Sequence, residues 1–169
     1  MILSFTPGQA ERDIQQFADL LIDAVASGAS VGFMPPLAQP EAFSYWRGVI
    51  AAMRDGSRIL LVSADGDLIQ GSVQIDLETR ANGNHRAEAI KLFVHRCARR
   101  RGLAKALMAE LESIARNMGR TLLLTDTRKG GEAEKMCEAL GYVKFGEVPN
   151  YARTGDGRLN TSSFFYKEL

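Results

Sequence analysis

The stretch KLFVHRCARRRGLAKALM, Lys91 to Met108, changes character halfway along. Leu92-x-Val94 closes an apolar extended run. Leu103, Ala106, Leu107, Leu111, Ile114, Ala115 and Met118 then recur at helical spacing, and Gly119 is placed to end that helix. Between Arg96 and Lys105 lie five cations (Arg96, Arg99, Arg100, Arg101 and Lys105) and no acid. Gly102 stands where the helix begins. A helix start presents unpaired backbone N–H groups and the positive end of a dipole, which together favour an anion. Gly102 and Ala104 carry little bulk, so a phosphate can approach the backbone. The alternative is a solvated basic patch on a helix surface.

Outward from this junction the period alternates between two and 3.6. On the N-terminal side Glu88–Val94 reads as a strand. It is preceded by a turn over Glu78–Arg86 containing Asn82-Gly83-Asn84, and by a hairpin of Arg58–Ala64 and Leu68–Leu77 around Asp65-Gly66. Further back, Pro40–Met53 and Glu11–Ala26 carry helical stripes, and Ile2–Phe5 reads as an opening strand. On the C-terminal side Thr121–Thr127 reads as a buried parallel strand, Glu132–Leu140 as a short helix stopped by Gly141, and Tyr142–Val148 and Ser163–Glu168 as closing strands. The expected fold class is α/β (α+β, three-layer): a mixed sheet, β α α β β β α β α β β, with helices on both faces.

Composition sets the outer bounds. A chain of 169 residues, 46% hydrophobic and 24% charged, is expected to be one domain spanning residues 1–169. Its net charge of +1 supplies no field toward nucleic acid or membrane. Two cysteines rule out a disulfide framework, and two cysteines with two histidines in no ligand spacing give no metal site. The start MILSFTPGQAERD has no signal-peptide pattern, and no apolar run approaches the roughly 20 residues of a membrane span, so the expected location is cytoplasmic.

The spacing Arg99-x-x-Gly102-x-Ala104 after Leu92-x-Val94, with Gly141-Tyr142 opening a later strand, resembles the pyrophosphate signature of the GNAT N-acetyltransferase superfamily. Within it, the chain is similar to the subgroup that includes tabtoxin-resistance acetyltransferases. The similarity lies in GASVGFM at Gly28–Met34, HRAE at His85–Glu88, LTDT at Leu124–Thr127, FGEVPNY at Phe145–Tyr151 and GDGRL at Gly155–Leu159. The resemblance implies a centrally splayed sheet and acetyl-CoA as cosubstrate. The backbone of Leu92, Phe93 and Val94 would pair with the pantetheine arm. The turn Arg99, Arg100, Arg101, Gly102, Leu103, Ala104 would wrap the pyrophosphate, with Lys105 adding charge. A bulge in the preceding strand is expected from the family and is not readable in the residues.

Transfer to an amine requires a group that takes the ammonium proton. Glu88 and Asp126 are the candidates, matching acidic positions of the subgroup. Their structural alternatives are an ion pair of Glu88 with Arg86 and capping of the following helix by Asp126. The superfamily's usual tyrosine acid near the coenzyme A sulfur is matched here by Cys137, expected to be a buried spectator. Phe33, Met34 and Tyr151 are expected to border the acceptor pocket; Tyr142, Trp46 and Phe43 are expected in the core, and His85 and His95 at the surface. The implied activity is N-acetylation of a small-molecule amine, an amino-acid-like toxin or antibiotic among the acceptors it implies, by a monomer or homodimer. The competing readings are a catalytically impaired coenzyme A sensor, kept alive by Cys137, and nucleic-acid binding. Against the latter, no aromatic residue lies between Arg96 and Lys105 to stack bases.

Overall fold

The computed structural model describes all residues, Met1–Leu169. Strand β1 (Ile2–Phe5) runs into Thr6, whose hydroxyl accepts from the Gln9 N–H while the Gln9 side chain accepts from the Thr6 N–H. This reciprocal cap, with Pro7 in the first turn, starts helix α1 (Pro7–Arg12). Helix α2 (Ile14–Ala26) follows a break at Asp13 (φ −99°, ψ 16°), and α3 is Gln39–Arg54. The single helix expected over Glu11–Ala26 is therefore two, and three helices precede the second strand. The cap at Thr6 opens a helix too early for one straight rod to continue into the core-facing stripe of α2.

Strands β2 (Arg58–Asp65), β3 (Leu68–Leu77) and β4 (Arg86–Val94) form an antiparallel meander. A single 3₁₀ turn (Arg96–Ala98) leads to α4 (Leu103–Asn117), β5 (Leu122–Arg128), α5 (Glu132–Ala139), β6 (Val143–Arg153) and β7 (Leu159–Glu168). The sheet order is β1-β2-β3-β4-β5-β7-β6, and only β4–β5 is parallel. Strand alternation splits the core between the two faces. Leu60 and Val62 join Phe17, Trp46 and Phe93 under α1–α3, whereas Leu61 joins Val73, Leu107, Leu111, Leu123 and Phe165 under α4 and α5. The three-layer, mixed-sheet expectation is met.

Two strands differ from expectation. In β5 only Leu123 is buried, because its parallel partner β4 accompanies it for three residues and then diverges, leaving one face open. Strands β6 and β7 extend to Arg153 and back to Leu159, so the region from 149 to 160 is mostly hairpin arm. Pro149 is tolerated inside β6 because it falls in the irregularity between Val148 and Ala152 of this edge strand, where regular pairing with β7 is interrupted.

Candidate active site

The site is a consequence of one extra residue. Ser72 pairs with Phe93 and Gln74 with Ile90, so Lys91 and Leu92 together face the single residue Val73. Lys91 takes the left-handed conformation, φ +55°, and the strand bends there. Pairing of β4 with β5 stops at Glu88–Leu124. The last tie across the opening is the Thr125 hydroxyl donating to the Ala89 carbonyl at 2.8 Å. Beyond it the two strands part around a cavity of about 410 Å³.

Glu88, Leu92, Asp126 and Cys137 line this cavity together with Asp76, Lys91, Thr125 and Met136, and Gly28–Val31 close it from the α2–α3 connection. Neither structural alternative for the two acids holds. Arg86 is held by Glu78 at 2.8 Å and not by Glu88, and helix α5 begins at Gly131 without a side-chain cap. Solvent reaches both carboxylates through the cavity mouth, yet the surrounding protein displaces much of their hydration. Burial raises the Glu88 pKa above the ordinary range, with Asp76 and Asp126 adding repulsion. Burial also raises that of Asp126, opposed by Ser162 and by the charge of Lys91. Asp76 lies opposite Glu88 in register and is bound by Arg58 at 3.1 Å.

Cys137 is 2% exposed, and burial pushes its thiol up to about 11, aided by Glu134 and Glu138. Helix α5, which carries it, is anchored through Glu134. That carboxylate takes Lys144 at 2.7 Å, the Ser163 hydroxyl at 2.7 Å and the Gly130 N–H.

At the far end of β4, Gly102 caps α4 at φ +79°, and Arg100 before it is also left-handed at φ +64°. A β-carbon on Gly102 would meet no atom within 4 Å, so glycine is required by the dihedral angle and not by crowding. No protein oxygen accepts from the N–H groups of Gly102, Leu103, Ala104 or Lys105, and no acid occupies the first turn. The cations divide by task. Arg99 folds back to donate to the Val94 carbonyl at 3.0 Å, and Arg96 binds Asp23 on α2. Arg100 lies 3.6 Å from Glu132 at the exposed surface, while Arg101 and Lys105 have no acidic partner.

Phe93 and Val94 turn their side chains into the core, Phe93 edge-on to Trp46, so only their backbone is offered. The expected acceptor residues lie outside the cavity wall. Phe33 packs edge-on against Tyr45 at 5.3 Å and borders a second, shallower hollow beside α3. Met34 is 43% exposed beyond the same loop. Tyr151 stands on the open face of the β6–β7 hairpin, edge-on to Phe164 at 5.1 Å. Tyr142 and Trp46 are buried, His85 is exposed, and His95 is half-exposed, 3.6 Å from Asp23. Of the side chains named on the cavity wall, Asp76, Lys91, Thr125 and Met136 carried no functional reading in the sequence. Asp76 stands opposite Glu88 in register and Thr125 immediately precedes Asp126 on β5; a lysine at a left-handed bulge leaves no sequence signal.

The description "Acetyltransferase (GNAT) family" matches residues 25–142. An uncharacterized N-acetyltransferase in the hisH-hisA intergenic region of Azospirillum brasilense is 34% identical over 119 residues, 69% of each chain. The crystal structure of ribosomal-protein-alanine N-acetyltransferase from Brucella melitensis superposes with a TM-score of 0.81 at 20% identity, covering 100% of this chain and 99% of that one. The structure of yncA, a putative acetyltransferase from Salmonella typhimurium with its cofactor acetyl-CoA, gives 0.79 at 18% identity, covering 100% and 93%.

Proposed function

We propose that this chain, which belongs to the GNAT acetyltransferase family and is an N-acetyltransferase, transfers the acetyl group of acetyl-CoA to the amine of a small molecule. The observation that carries the reading is the gap opened by the β4 bulge: an acid-lined cavity lies on one side of it, and the strand that borders it runs on toward the unpaired N–H groups at the start of α4. Those N–H groups, with Arg100, Arg101 and Lys105, fit the diphosphate, and the free edge of β4 from Ile90 to Val94 fits the amide-bearing arm. Acetyl-CoA, when bound, supplies the activated acyl group.

The chain's own part begins with the acceptor. Its ammonium must become a neutral amine before it can attack. Asp126, directly or through a water, takes that proton, and its desolvation makes it a stronger base than a free carboxylate. Glu88, on the adjacent strand, shares the field and is the second candidate. Backbone N–H groups of Phe93 or Val94 are the candidates to polarise the acyl carbonyl. Cys137 is a poor acid for the departing thiolate. Donation from a group at about 11 to a thiolate of ordinary affinity near 8.5 is uphill by roughly 2.5 pKa units. Solvent therefore protonates the thiolate.

Three of the five segments similar to tabtoxin-resistance-type enzymes, Gly28–Met34, His85–Glu88 and Leu124–Thr127, contribute to the cavity. This supports that subgroup and an amino-acid-like acceptor. The same acids weigh against an impaired sensor. A single catalytic domain over residues 1–169 accords with the full-length superpositions. The test is amine-dependent release of coenzyme A thiol from acetyl-CoA across a panel of amino acids, polyamines and peptide N-termini. Small amines are expected to support turnover; release by none of them overturns the reading.

A further inference from the structure

Lys91 has no part in the steps above, yet the fold goes to some expense to place it. It occupies the bulge in the left-handed conformation, which residues other than glycine rarely adopt. Its ammonium donates to the Val31 carbonyl at 2.6 Å and stands 6.0 Å from the Phe33 ring centre. The loop is wrapped around it: a β-carbon on Gly32 would lie 3.0 Å from Nζ. One of three N–H groups is thus satisfied, and no carboxylate lies within ion-pairing distance of a lysine that is largely buried in the cavity wall.

We propose that Lys91 is a positioning residue for acetyl transfer, pinning the Gly28–Phe33 loop over the cavity and supplying the positive charge that keeps Asp126 in its base form. The proposal rests on Asp126 acting as the base. The groups around Asp126 are Glu88 and Lys91 on β4, Asp76 on β3, Arg128 on its own strand, Glu132 on α5, and the Ser162 hydroxyl on β7. Asp76 is already bound by Arg58. Among these, Lys91 is the cation whose charge bears on Asp126, and the effect is mutual: burial lowers the lysine's own proton affinity and Asp126 restores part of it. Both side chains line the same partly wet cavity, so removing the lysine's charge raises the proton affinity of the Asp126 carboxyl.

Three variants separate the strap from the charge. Lys91→Gln keeps a donor for the Val31 carbonyl and loses the charge. Lys91→Arg keeps both, and Lys91→Met loses both. Each is compared with wild type by the pH dependence of kcat/KM, by KM for the amine beside the Kd of acetyl-CoA, and by ¹³C NMR titration of the Asp126 carboxyl, assigned with Asp126→Asn. Gln and Met are expected to move the acidic limb and the Asp126 titration upward together, with Arg restoring both. Met alone should also raise the amine KM severalfold, with acetyl-CoA affinity unchanged. A uniform loss of rate with an unmoved Asp126 titration overturns the proposal. Wild-type turnover in Asp126→Asn overturns the base assignment instead, and the NMR titration distinguishes the two because it needs no turnover.

Discussion

Replacing Gly102 tests the cofactor site with two separable numbers. At φ +79° an L-residue pays roughly 1–2 kcal/mol of backbone strain. No protein atom lies within 4 Å of the would-be β-carbon, so Gly102→Ala and Gly102→Glu should pay about the same. In a chain of 169 residues each kcal/mol lowers Tm by about 2–4 °C, so both variants should melt roughly 2–8 °C below wild type. Only glutamate adds a charge beside the unpaired N–H groups. A carboxylate about 6 Å from each of two phosphate charges, at an effective dielectric near 40, costs about 1.4 kcal/mol per pair. The Kd for acetyl-CoA should therefore rise roughly a hundredfold beyond that of Gly102→Ala. Calorimetric titration gives the affinity and thermal unfolding gives the strain. Equal affinities in the two variants, with the shared loss of Tm present, would place the diphosphate somewhere other than the start of α4.

Asp126→Asn should lower turnover at least tenfold, general bases typically contributing about 10²–10⁴, while acetyl-CoA affinity holds; steady-state kinetics with a titration checks both. Cys137→Ala should change turnover less than about tenfold, and a loss of about a hundredfold with acetyl-CoA still bound would make the thiol the acid after all. Glu134 is held down to about 2 by Lys144, the Gly130 N–H and the Ser163 hydroxyl, so its contribution to stability is complete above its ordinary value of 4.5 and is lost as pH falls toward 2. Glu134→Gln should therefore flatten the acid arm of a stability–pH curve between those limits, measured by denaturant unfolding; an unchanged arm would remove the anchor from α5.

The meander and the long helix α4 were legible because period-two and 3.6-residue patterns are written in side chains that must face a core. The glycine-opened start of α4 was legible because arginines, a glycine and a helical stripe coincide within a few residues. The reciprocal cap at Thr6 carried a signature, T-P-G-Q, but the apolar stripe of α2 drew the eye past it. The strand expected over Tyr142–Val148 runs on to Arg153 because an edge-strand irregularity absorbs Pro149 and Asn150, and strand order is a tertiary fact. The bulge was invisible for a related reason. Nothing about a lysine announces a positive φ; Lys91 is held there by the Val31 carbonyl, sixty residues earlier in the chain. Phe33, expected beside the acceptor, packs edge-on against Tyr45, a pairing across the α2–α3 connection that no local pattern encodes.

The sole tryptophan, Trp46, is fully buried, 4.6 Å from the Phe17 ring and 6.3 Å from that of Phe93 near the end of β4. Its indole N–H has no acceptor, so its emission arises from one dry, homogeneous environment. That gives the enzyme a built-in optical gauge. Quenching by iodide should be negligible in the folded chain, and a shift of the β4 terminus against α3 changes the ring packing that the indole senses. Such a shift can thus be followed by intrinsic fluorescence without a label.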